Sequence, residues 1–197
     1  MRLELPIFPL NAVLFPGGVL PLRVFETRYM DMTRECMKAE RPFGICLIQS
    51  GEEVGKPAVP EKIGVLAHII DWDMRDLGVL HLRTRGGRRF RILSHAASPQ
   101  GLITAQVELL PEEKDMPLPQ EYAACMRLLR LIVAEQPPGT FLEPLVFDSA
   151  SWVGHRLSEV LPVPLAAKQK LLELDDSISR LQILLRYLEG RGLVPKE

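Results

Sequence analysis

The chain has 197 residues, 47% hydrophobic and 25% charged, with a net charge of −1. Near-neutrality removes any global electrostatic pull toward nucleic acid or an anionic membrane, and no apolar run approaches the ~20 residues that span a bilayer. Cys36, Cys46 and Cys125 are too few and too widely spaced for a disulfide framework or a zinc site. Arg2 and Glu4 interrupt the N-terminal apolar run, so a secretory signal is not expected and a cytoplasmic location is the default.

Leu3, Leu5 and Ile7 alternate with other residues and predict a strand. Pro6 and Pro9 cannot donate to a ladder, which predicts an edge strand or a broken one. Phe15-Pro16-Gly17-Gly18 is a turn, because proline fixes φ and glycine tolerates positive φ. Residues 19–24 are again extended. The apolar period then lengthens. Tyr29, Met30, Met32, Thr33, Cys36 and Met37 recur at helical spacing and predict a helix over about 26–39, ended by Arg41-Pro42.

A short strand is expected at 43–48, a loop at 50–61, and strands at 63–73 and 78–85 around a turn at 73–76. Gly86-Gly87 reads as a second turn before a strand at 88–93, and 102–110 is one more strand. Many short strands with Gly/Pro turns point to a small barrel or sandwich.

The character changes at Pro111. Residues 112–118 are charged and proline-rich, and read as a linker between a domain over 1–111 and a helical domain over 119–197. The first part carries a net +2 (14 Lys+Arg, 12 Asp+Glu) and the remainder −3 (10 against 13). Tyr122, Cys125, Met126, Leu129, Ile132 and Val133 share one helix face. Asp148 or Ser149 caps a second helix, and Pro164 opens a third. Asp175 or Asp176 caps a fourth, which bears Ile178, Leu181, Leu184, Leu185 and Leu188 and stops at Gly190.

Few residues carry chemistry. Residues 51–57 (GEEVGKP) imitate a phosphate-binding loop, but one residue is missing between the glycines and Pro57 replaces the magnesium-binding hydroxyl. The loop of Asp71, Asp73 and Asp76 lacks the glycine at position 6 and the terminal glutamate of a calcium loop, and reads as a hairpin turn. His68, His81, His95 and His155 show no metal-ligand spacing, although His68 and His81 could face each other across a hairpin. Ser151 and His155 are four apart on a helix but lack a nucleophile elbow. No metal, cofactor or catalytic group is expected.

Arg83, Arg85, Arg88, Arg89 and Arg91 flank the Gly-Gly turn, where two strands could present a cationic, RNA-binding surface; a solvated hairpin explains them as well, since no aromatic residues flank them. Arg23, Glu26, Arg28 and Tyr29 sit where strand gives way to helix. They could line a groove for polypeptide; alternatively Glu26 caps the helix and pairs with an arginine. A third possibility is a small molecule at the barrel mouth near Trp72.

The order of these segments resembles a known family. LPIFPLNAVLFPGGVLPLRVFETRYMDM, with Pro21, Leu22, Phe25, Glu26, Arg28 and Tyr29 at the pattern positions, is similar to the start of the Lon protease N-terminal domain. Ile63-Gly64-Val65, the GGRRFRI segment and a helical stretch bearing Leu161, Lys168, Gln169, Leu172, Glu173, Arg180 and Leu181 continue the likeness. The resemblance implies an α+β protein, with a PUA-like β-barrel carrying one main helix followed by a C-terminal helical bundle. It also implies binding of unfolded or tagged polypeptide, or of a protein partner in proteolysis, without the ATPase or Ser-Lys protease modules.

Overall fold

The computed structural model describes residues 1–194, in two compact units, Met1–Glu112 and the remainder from Glu113. The first holds β1 (Arg2–Leu10), β2 (Val19–Val24), α1 (Thr27–Lys38), β3 (Phe43–Ser50), β4 (Val59–Pro60), β5 (Ile63–Asp76), β6 (Val79–Ala97) and β7 (Ile103–Leu109). The strand order is β1-β7-β6-β5-β3-β4. Because β1 also pairs with β3, in parallel, the sheet returns on itself. The other pairings are antiparallel, and β2 joins only β6. The enclosed core is built from alternate residues of these strands: Leu5, Ile7, Cys46, Leu66, Phe90, Ile92, Ile103, Ala105 and Val107. Each of the Leu, Ile, Val and Phe side chains contributes about 1.5–3 kcal/mol when fully buried.

Three sequence expectations are corrected here. First, β1 runs unbroken through Pro6 and Pro9 and has neighbours on both sides. Its pairing with β7 covers Arg2 to Ile7 and that with β3 covers Ile7 to Leu10, so each proline has a strand on only one flank. A missing N–H turned to the open flank costs no ladder bond.

Second, Gly86-Gly87 is not a turn: β6 is continuous through it, with a register shift against β5 between Gly86 and Arg89. The glycines serve close approach instead. A Cβ on Gly86 would lie 2.0 Å from the Phe15 carbonyl oxygen, and one on Gly87 would lie 2.8 Å from the His68 ring. The Gly17 N–H donates to the Gly86 carbonyl (2.8 Å) and the Gly86 N–H to the Gly18 carbonyl (2.9 Å), so the Phe15–Gly18 turn is stitched onto β6.

Third, the hairpin turn lies beyond 73–76, at Leu77-Gly78, because Gly78 supplies the positive φ (78°). A further short strand, β4, lies inside the expected loop 50–61.

In the second unit a single 3₁₀ turn, Gln120–Tyr122, leads into α2 (Ala123–Ala134), followed by α3 (Ala150–Val160), α4 (Leu165–Glu173) and α5 (Ser177–Gly190). Ser149 caps α3 by accepting from the Trp152 N–H (3.0 Å), and Asp176 caps α5 by accepting from the Ser179 N–H (2.7 Å). Pro164 is the residue before α4. The α5 helix includes Gly190 and closes one step later. Leu193 N–H bonds to Leu188 O and Gly192 N–H to Glu189 O, with Gly192 at φ 68°. Helix α5 packs on α3 and α2 through the buried Leu129, Val153, Leu157, Leu181, Leu184 and Leu188.

A buried ionic knot ties the start of this unit to its helices. Arg180 is 0% exposed. Its Nη1 reaches both Glu113 carboxylate oxygens (2.9 and 3.0 Å), its Nε donates to Leu171 O and its Nη2 to Leu174 O. Ser151 also donates to Glu113, and His155 Nε2 lies 3.7 Å from it. Among the described residues, no helix is long and apolar enough to cross a membrane, and no cluster of His, Cys, Asp or Glu could hold a metal.

Candidate functional site

Two open strand edges of the first unit line one groove. Strand β2 pairs with β6 on one side only. Strand β1 has no β7 partner beyond Ile7. Between them lies a groove of ≈ 370 Å³, lined by Phe8 and Leu10 of β1, five consecutive residues of β2 (Leu20, Pro21, Leu22, Arg23 and Val24), and Phe25, Glu26 and Tyr29 at the start of α1. Inward- and outward-facing residues of β2 both contribute, so the groove runs along the strand's edge. Glu53 and Val54 close it from the loop after β3.

The floor is aromatic. Phe8 and Tyr29 stack with ring centroids 4.0 Å apart, and the Arg28 guanidinium sits 4.7 Å from the Tyr29 ring centroid. Burial pushes the Tyr29 phenol up from its usual range, with Arg28 opposing, so the ring stays neutral at physiological pH. The lip is apolar: Phe25 and Val54 are each 54% exposed.

The structure therefore brings Arg23, Glu26 and Tyr29 together but sets Arg28 apart. The Arg28 side chain is buried, donates to the Gly101 carbonyl (3.0 Å) and to Glu26 Oε2 (2.9 Å), and lines a different cleft with Asp31, Arg41 and Gln100. Glu26 occupies the cap position of α1 but makes no side-chain cap bond; its carboxylate takes Arg28 and the Gly55 N–H (3.5 Å). Glu53 accepts from the Asn11 N–H (3.0 Å). The Gly51–Pro57 look-alike loop thus acts as a wall. Arg23 is exposed and makes no ion pair among the described residues.

The five arginines of the basic run lie along one continuous strand. Arg85 and Arg91 are exposed, Arg83 and Arg88 half-buried, and Arg89 buried. Arg88 is tied to the Leu110 carbonyl (2.9 Å). His68 faces Arg85 and His81 faces Asp73, so the two histidines do not meet; His81 instead bonds Asp76 (2.8 Å). Burial, with Arg85 beside it, holds His68 below its usual range. Ser151 is spent on Glu113. Trp72 lies exposed on the projecting β5–β6 hairpin, beside a cleft formed with Cys36, Met37 and Arg41. Phe8, Leu10, Glu53 and Val54 were not foreseen as groove residues. Only the open edges in the strand order reveal them.

The profile of the ATP-dependent protease La (LON) substrate-binding domain matches residues 4–190. The chain belongs to the Lon substrate-binding domain family. Among similar proteins are the Lon protease of Cytophaga hutchinsonii, 27% identical over 94% of this chain and 24% of that protein, and the protein cereblon of Danio rerio, 30% identical over 65% of this chain and 30% of that protein. The chain spans about a quarter of the length of the Lon relatives it matches. Its fold superposes on the crystal structure of a Lon N-terminal domain protein from Xanthomonas campestris with a TM-score of 0.80, at 36% identity, covering 94% of this chain and 98% of that one. The N-terminal domain of the Mycobacterium avium complex Lon protease shares the fold at 18% identity, with a TM-score of 0.64 over 93% of this chain and 97% of that one. The Lon domain fold is thus a mixed sheet plus helices.

Proposed function

We propose that this Lon-family chain is a non-catalytic recognition protein that binds unfolded or tagged polypeptide, or a protein partner in proteolysis, in the β2–α1 groove. The reading takes the first unit as a PUA-like β-barrel and the second as a helical bundle, with the division near residue 112. The observation that carries it is the groove itself, with an aromatic floor of Phe8 and Tyr29, an exposed apolar lip of Phe25 and Val54, and the uncommitted Arg23 at its edge. Solvent-exposed Phe and Val beside a concave aromatic floor are the features that mark an interaction site. Arg23, Glu26 and Tyr29 contact ligand in this reading, and Arg28 braces Glu26 from behind. Family membership agrees with a substrate-recognition role. The basic strand does not carry the reading, because its arginines are divided between solvent and core.

The test is fluorescence anisotropy with a reduced, alkylated and permanently unfolded polypeptide as probe. Binding in the micromolar range is expected. Phe25→Ser combined with Val54→Ser should weaken it by roughly 10- to 100-fold, since each half-exposed side chain forfeits about half of its full burial value. Both residues are exposed, so the fold is retained. Absence of binding by the wild-type chain refutes the proposal, as does undiminished binding by the double variant.

A further inference from the structure

The groove's long wall is a strand edge, and the pairing of β2 fixes which backbone groups it offers. In an antiparallel pair, successive residues alternate between turning their N–H and C=O toward the partner strand and away from it. Pro21 pairs with Arg83 and has no N–H, so its position must be one that faces away from β6. Gly18 obeys the same parity, since its carbonyl accepts from the Gly86 N–H on β6. Val19, Pro21 and Arg23 therefore turn their backbone groups toward the groove, and Leu20, Leu22 and Val24 turn theirs to β6. The edge offers carbonyls at Val19, Pro21 and Arg23, and N–H groups at Val19 and Arg23. Among the described residues, the backbone of β2 bonds nothing but β6; Leu20 O takes the additional Thr84 hydroxyl, which also belongs to β6.

We infer that the ligand is an extended polypeptide segment that adds to β2 as a new strand. The inference rests on the groove being the polypeptide site. Apolar side chains of the segment would alternate onto the Phe8–Tyr29 floor. A carboxylate side chain at the segment's end near α1 would meet Arg23, the cation without an ion pair, at the positive end of a helix that lacks a side-chain cap. Strand addition gives affinity through the main chain and selects only alternate side chains. That suits a site that must accept many sequences. Pro21 has a second effect. With its central donor missing, two β2 edges cannot zip to one another with a full ladder, so the open edge resists self-pairing.

The test uses the full chain and synthetic octapeptides tiling the same unfolded polypeptide. The tightest binder is resynthesised with a single backbone N-methyl group at each position in turn. The expected result is a period of two: methylation at alternate positions weakens binding by roughly 3- to 10-fold, the value of one hydrogen bond, and methylation between them does not. Pro21→Ala restores an edge donor without touching the β6 ladder, and should tighten the peptide by roughly threefold. A flat methylation scan with retained binding overturns strand addition and leaves the groove reading standing, and so does an unchanged affinity in Pro21→Ala. If no peptide binds at all, the groove reading fails, and this inference with it.

Discussion

Glu113→Ala isolates the buried ionic knot of the second unit. The substitution removes the carboxylate that lies 2.9 Å from the fully buried Arg180, and the acceptor for Ser151. The guanidinium keeps Leu171 O and Leu174 O, so it loses this ion pair but not all of its hydrogen bonds. Both short contacts to Glu113 come from one nitrogen, Nη1, so they count as a single charge-assisted contact rather than a two-pronged fork. Orphaning one member of a buried ion pair costs about 3–5 kcal/mol, and the retained carbonyl contacts place this case at the lower end, ~3 kcal/mol. For a unit of this size the melting temperature should fall by roughly 12–24 °C. The chain has two tryptophans, Trp72 and Trp152, one in each unit. In a Trp72→Phe background, urea unfolding followed by Trp152 fluorescence therefore reads the second unit alone. Adding Arg180→Leu to Glu113→Ala should recover part of the loss, because no unpaired charge then remains. A loss below about 1 kcal/mol on Glu113→Ala, or a double variant worse than the sum of the two single ones, would show that the knot is not held as described.

Gly86→Ala should destabilise the first unit by about 2–4 kcal/mol, since its methyl would displace the buried Phe15 carbonyl and loosen the two stitching bonds; Gly190→Ala, with open space around it, should stabilise by up to ~1 kcal/mol, both read from urea midpoints. Glu40 ends α1 in the left-handed region (φ 50°), where glycine is unstrained, so Glu40→Gly should raise stability by about 1 kcal/mol in the same assay. Burial pushes the Cys125 thiol up to about 12, whereas an unfolded thiol ionises near ~8.5. The folded state keeps a proton that the unfolded state loses. Stability from this group is therefore complete below about pH 8.5 and declines as pH rises from there toward 12, and Trp152-monitored unfolding should show that slope vanish in Cys125→Ala. All three cysteines are buried and free, and iodoacetamide should label none of them at pH 8 without denaturant, as read by intact mass.

Much of the fold was legible because its signals are local. The Phe15–Gly18 turn, the period change at Tyr29 and the capping residues Ser149 and Asp176 each act within a few residues of themselves. Apart from the hairpin turn, which Gly78 sets locally, the misreadings share one physical cause, which is that the deciding partner is distant in sequence. Gly86 looks like a turn until Phe15 is seen against it. Pro6 and Pro9 look like breaks until the staggered partners of β1 are known. Within the charged stretch 112–118, Glu113 reaches Arg180 and Asp115 accepts from Ser149 (2.6 Å), contacts that no local pattern shows. The groove was half visible. Arg23, Glu26 and Tyr29 stood out at the strand–helix junction, whereas Phe8, Leu10 and Val54 reach it only through the order of strands, which no local pattern encodes.

The closure of the sheet by β1 also constrains when this protein can fold. Arg2 pairs with Glu108, and Ile7 pairs with both Ile103 and Gly44. A nascent chain thus exposes β1 as soon as that segment is made and cannot seat it against β7 until about a hundred further residues have followed. Loop closure on that scale must precede the reward of pairing, which slows folding. During that interval β1 is an unguarded apolar segment of the kind that holdase chaperones retain.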